Sequence, residues 1–204
     1  MTDDIQSLRD DIAYLKAMAD SGHNSRGAGG GVLMMSAGLF FAAASIGQYL
    51  AMQRAVPMTM ETASFGWLIA TVAFIAVLIA VKLRWWSDGS SPGTAGFAWQ
   101  GIGMGCFFIF VALGLASWRT QSPLLIEFSP SIIFVLYGAA WISVGAAMHQ
   151  TWMQVTGWGG FVAAGITAWF IGQPVSYLIY AGGLMLLAFV PGVLFVLEAR
   201  RTGE

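Results

Sequence analysis

Six apolar runs, each close to the length that a helix needs to cross a bilayer, constrain this chain more than any other feature. They extend from Val32 to Met52, Phe65 to Val81, Phe97 to Trp118, Pro130 to Met148, Trp152 to Ile171 and Pro174 to Leu197. About 20 mainly apolar residues cover the roughly 30 Å hydrocarbon core of a membrane. None of the runs alternates with a period of two, and all are too long for barrel strands, so helices are the solution that satisfies the backbone in lipid. A soluble fold would also need a charged coat, and the 204 residues supply only nine Lys and Arg and ten Asp and Glu. That is 9% charged, against about 25% in soluble domains. The expected fold class is all-α, a polytopic bundle of six transmembrane helices arranged as three helical hairpins.

Basic residues set the orientation. With the N-terminus inside, the cytoplasmic side collects Arg9, Lys16, Arg26, Lys82, Arg84, Arg200 and Arg201, and the outer side holds Arg54 and Arg119. This is a positive-inside bias, and it places both termini in the cytoplasm. Tryptophans near the run ends, such as Trp85, Trp99, Trp118 and Trp169, suit interfacial belts. The first twenty residues lack the basic, apolar and small-residue order of a secretory signal, so insertion is expected to rely on the spans.

Residues 1–20 read as a separate cytoplasmic helix. Thr2 can cap it, Asp3 and Asp4 suit its positive end, and Ile5, Leu8, Ile12 and Leu15 recur at spacings of three and four. That stripe is the candidate partner contact, and the acidic balance of the segment favours protein over an anionic lipid surface. Residues 21–31 form a Gly- and Ser-rich linker, 32–198 the six-helix domain and 199–204 a cytoplasmic tail.

The odd-numbered runs open on related stretches, Gly38-Leu39-Phe40-Phe41, Gly105-Cys106-Phe107-Phe108 and Gly160-Phe161-Val162. In layout, chiefly from Gly159 to Pro191, the chain resembles HdeD-type six-span membrane proteins associated with acid resistance. The stretch Asp11 to Ala17 is similar to the start of uncharacterised bacterial inner-membrane proteins. These resemblances imply three two-helix repeats and a bacterial inner-membrane location, and no activity.

Charged residues inside a membrane mark function by default, and the runs hold almost none. Glu127 lies just before Ser129-Pro130, which reads as an N-cap followed by proline at the first helical position; the carboxylate belongs either to the outer interface or to proton or cation handling. His149 sits in a short inner turn, and an imidazole there is a candidate functional side chain. Neither it nor the single Cys106 has companions for a metal site, and no cofactor is expected. Glycines at Gly101 and Gly105, and at Gly157 and Gly160, permit close helix packing, within one chain or between copies. Pro191-Gly192 should kink or loosen the last helix.

No catalytic constellation or phosphate-binding glycine loop is present in the sequence, and no basic cluster points to nucleic acid. The expectation is a non-enzymatic accessory, scaffold or regulatory membrane protein acting through helix contacts, with the lipid bilayer and a homo-oligomer or partner membrane protein around it. A small channel or transporter for a neutral or apolar solute, and a protein binding lipid or a hydrophobic cofactor, are the alternatives.

Overall fold

The described residues fold almost entirely as helices. The computed structural model describes residues 9, 12, 28–57, 59–85 and 94–202. In chain order the helices are α1 (Ala28–Met52), α2 (Met60–Trp85), α3 (Thr94–Thr120), a single turn α4 (Leu124–Glu127), α5 (Ser129–Ala147), α6 (Thr151–Trp169), α7 (Val175–Leu184) and α8 (Val190–Thr202). A π-helical turn, Met185–Phe189, joins α7 to α8. Five stretches are long and apolar enough to cross a membrane: Ala28–Met52, Glu61–Arg84, Ala98–Thr120, Leu124–Ala147 and Val175–Arg201. Helix α6 falls outside that set because glycine, threonine, tryptophan and glutamine replace aliphatic side chains along its 19 residues.

Left-handed residues end several helices. Arg54, Gln121 and His149 have φ of 52°, 54° and 53°, and Gly172 has φ of 76°. Each lies just past a helix end, where a left-handed residue lets the following N–H groups reach back to the last carbonyls. Ala55 N–H bonds Leu50 O at 3.0 Å and Gln150 N–H bonds Gly145 O at 2.9 Å in this way. At the start of α5, Phe128 rather than Ser129 takes the cap position, and no side chain caps the helix. Ser129 is already helical and buried, since α4 runs into α5 with helical dihedrals at Phe128.

The most extensive packing joins α5 to α6, the helices on either side of the 148–150 turn. Glycine explains it. A Cβ on Gly138 would meet Gly157 O at 2.9 Å, one on Gly145 would meet Gln154 N at 2.9 Å, and one on Gly160 would meet Gly138 Cα at 2.9 Å. The two antiparallel backbones therefore touch with nothing between them, as small residues permit. A second seam of the same kind joins α1 to the last helix: a Cβ on Gly31 would lie 2.8 Å from Gly192 O, and one on Gly38 2.7 Å from Phe189 N. Helix α2 packs on α1, and α3 packs on α4 and α5.

The buried core lies among α1, α5, α6 and α7–α8. One cluster gathers Ala42, Ile133, Phe134, Ala164, Tyr180 and Leu184, and the other Trp141, Val144, Met153 and Phe195. Helices α2 and α3 flank it, α2 burying Ala63, Ala70 and Val81 and packing Trp67 against the first cluster, and α3 packing Cys106 against the first and Trp99 against the second. In α3, no residue of the most apolar stretch is buried.

Candidate functional site

The π-turn Met185–Phe189 is tied to the rest of the bundle by a buried side chain. In a regular helix the N–H of residue 191 would donate to the carbonyl of Leu187, but Pro191 has none. Trp141 supplies a replacement donor, its indole N–H meeting Leu187 O at 2.9 Å. Trp141 is fully buried, with Trp99 of α3 at 4.9 Å, Trp152 of α6 at 5.7 Å and Phe195 of α8 at 5.9 Å between ring centroids. Such edge and offset ring contacts are favourable beyond the area they bury. Four helices thus converge on one indole. From the sequence Pro191-Gly192 is expected to kink or loosen the helix; the structure shows a widened turn before the proline and the Trp141 side chain on the Leu187 carbonyl.

Among the described residues the buried polar groups are neutral. Ser45 and Thr167 donate to Phe41 O and Ala163 O, one turn back, at 2.8 and 2.7 Å. Gln48 Oε1 and Ser131 Oγ are buried without a hydrogen-bond partner. Such groups are uncommon in folded interiors. Both sit in the half of the bundle nearer the 53–59 and 170–174 turns, and hydropathy gave no sign of them because each is a single polar residue in an apolar run.

Of the sequence candidates, Glu127 is half-buried at the end of α4, and its Oε2 lies 4.0 Å from where a Cβ on Gly172 would stand. His149 is exposed in the left-handed turn that ends α5. These two belong to opposite ends of α5 and form no joint site. Ile12 is exposed; Ile5, Leu8 and Leu15 lie outside the described residues. Among the described residues no three His, Cys, Asp or Glu side chains group in a way that would hold a metal.

The glycine candidates divide. Gly157 and Gly160 sit in the α5–α6 seam, where Gly157 also faces Ile142. Gly105 only touches the end of Leu136 at 3.5 Å, and Gly101, like Gly103, has nothing within 4 Å of a would-be Cβ. Packing among the described residues therefore does not account for Gly101: α3 meets its described neighbours through Trp99, Gly105 and Gly114 and turns Gly101 away from them. Gly101, Met104, Phe108, Val111, Leu115 and Trp118 recur at spacings of three and four, which aligns them on one helix face. That face is open, with Phe108, Leu115 and Trp118 exposed by 58%, 60% and 73%. The sequence reading missed Gly31, Gly38, Gly138 and Gly145, although the seven-residue interval within each pair is a visible signal.

Together these features describe an all-helical bundle with a glycine-seamed core and an open α3 face that carries Gly101 among larger apolar residues. No family model matches the chain, and no curated protein or solved structure matches it.

Proposed function

We propose that this chain is a multi-pass membrane protein of the bacterial inner membrane that acts as an accessory or scaffold subunit, receiving a transmembrane helix of a partner on the open face of α3. The observation that carries this reading is the contrast among its glycines. Gly31, Gly38, Gly138, Gly157 and Gly160 have backbone against them, whereas Gly101, on the α3 face that also carries Phe108, Leu115 and Trp118, meets nothing among the described residues. Glycine lowers the intrinsic stability of a helix by about 1 kcal/mol relative to alanine. In lipid, where apolar side chains gain little from leaving hydrocarbon, close backbone approach is what small residues contribute to association.

Membrane insertion is supported by the five long apolar helices and by the wide exposure of Leu68, Ile69, Leu83 and Phe107, which water would penalise and hydrocarbon does not. Both termini are assigned to the cytoplasm from the basic-residue bias. The layout shared with HdeD-type proteins adds no residue to this reading.

Gentle extraction of the full chain, followed by identification of the proteins that remain bound, tests it against Gly101→Leu. The scaffold reading expects a stoichiometric protein companion, or a second copy, that the leucine removes while the monomer stays folded. Retention of the same companion by Gly101→Leu would remove α3 from the account.

A further inference from the structure

Helices α1 and α2 leave a groove between them of about 370 Å³. It falls in the range of roughly 300–1,000 Å³ typical of small-molecule sites. Its walls include Ala43 and Gly47 of α1 and Thr62, Gly66, Ile69 and Ala70 of α2. The lining is almost entirely apolar, and the groove opens on the outside of the bundle. Gly47 and Gly66 stand on different helices, yet each has nothing within 4 Å of a would-be Cβ. The α1–α2 contact does not need them as glycine, because Phe41 against Trp67 and Phe74 already holds the pair at centroid distances of 6.4 and 6.0 Å. Two helix-weakening residues therefore keep open a space that no part of the described chain fills.

One end of the groove is polar. Thr59 caps α2, its Oγ1 accepting the N–H of Thr62 at 3.1 Å, and the two hydroxyl oxygens lie 2.9 Å apart. Thr62 is exposed and lines the groove. The same end carries one charge of each sign, Arg54 in the turn after α1 and Glu61 in the first turn of α2, both exposed. An anionic headgroup would meet Arg54 but be repelled by Glu61. A headgroup bearing both a phosphate and an ammonium whose N–H groups can donate to the Glu61 carboxylate complements the pair better than an anionic or a trimethylated one.

We propose that the groove seats one acyl chain of an ethanolamine phospholipid, with the phosphate at Arg54, the ammonium at Glu61 and the chain running past Gly47 and Gly66. The site rests on the membrane reading above but not on the α3 face.

The test uses the full chain in mild detergent, supplied with equal amounts of phosphatidylethanolamine, phosphatidylglycerol and phosphatidylcholine and read by native mass spectrometry. Phosphatidylethanolamine should be retained in preference to both others. Retention should fall at least fivefold in Gly47→Leu/Gly66→Leu, which fills the groove, whereas Arg54→Gln/Glu61→Gln should keep a phospholipid and lose the headgroup preference. Equal retention by the leucine variant, or a preference for phosphatidylglycerol, overturns the proposal. A phosphatidylethanolamine with a diazirine-bearing acyl chain gives a readout on the unaltered chain: adducts should concentrate on residues 43–47 and 62–70, and an even spread over the exposed faces of α2 and α3 would overturn it, as would cross-linking of the groove to protein instead. Resistance to alkaline extraction reports separately on the membrane reading. A chain that resists extraction but yields no groove adducts defeats the lipid site alone.

Discussion

The indole N–H of Trp141 donates to the carbonyl of Leu187, 46 residues later in the chain, over 2.9 Å. The bond answers a defect that Pro191 creates in its own helix, and it ties α5 to the π-turn in the last helix. Trp141→Phe keeps most of the ring packing and removes the donor. Leaving a buried carbonyl unpaired costs about 1–3 kcal/mol, so reversible unfolding in detergent should show a loss of that order. In a Pro191→Ala background the alanine N–H can take over the carbonyl, and the cost of Trp141→Phe should shrink. A double-mutant cycle with no coupling between positions 141 and 191 would contradict this account of the bond.

The seam glycines and the open glycines should respond in opposite directions. Gly157→Ala drives a methyl to within 2.6 Å of Ile142 Cγ1 and 2.7 Å of Gly138 O, and backbone cannot yield as a side-chain tip can. Loss of about 2 kcal/mol or more is expected, in the range of overpacked cores. Gly165→Ala, with open space around it, should instead gain up to about 1 kcal/mol from helix propensity. Parallel thermal unfolding of the two variants checks the contrast.

His149 holds a left-handed conformation, φ 53°, that costs a non-glycine residue roughly 1–2 kcal/mol. His149→Gly should therefore be neutral or stabilising by up to about 1 kcal/mol in reversible unfolding. A marked destabilisation would mean that the imidazole itself makes a contact that matters.

Much of the helical layout is legible in the sequence because apolar run length maps directly onto helix length. The six runs overlap α1, α2, α3, α5, α6 and the α7–α8 helix, while the shortfall in apolarity of α6 follows from the glycines and polar residues it contains. Partner choice is harder to read. Gly101-x-x-x-Gly105 has the spacing of a packing motif, as do the small residues Gly160 and Ala164, and only the neighbour decides which is filled. The pairing of α5 with α6 depends on the rotational phase that brings Gly138 against Gly157 and Gly160, and in nearly uniformly apolar helices no polar face reports that phase. The Trp141–Leu187 bond and the partnerless Gln48 and Ser131 are tertiary facts with no local signature.

The central claim, that the open face of α3 receives a partner helix, is tested most directly by photo-crosslinking in intact membranes from a benzophenone side chain at position 108. Phe108 shares its face with Gly101 and is 58% exposed. Ile69, 68% exposed on α2, provides the lipid-facing control. The account predicts a discrete protein adduct of one size from position 108, absent from position 69 and lost in Gly101→Leu. Lipid adducts alone from both positions, or the same protein adduct from both, would contradict it.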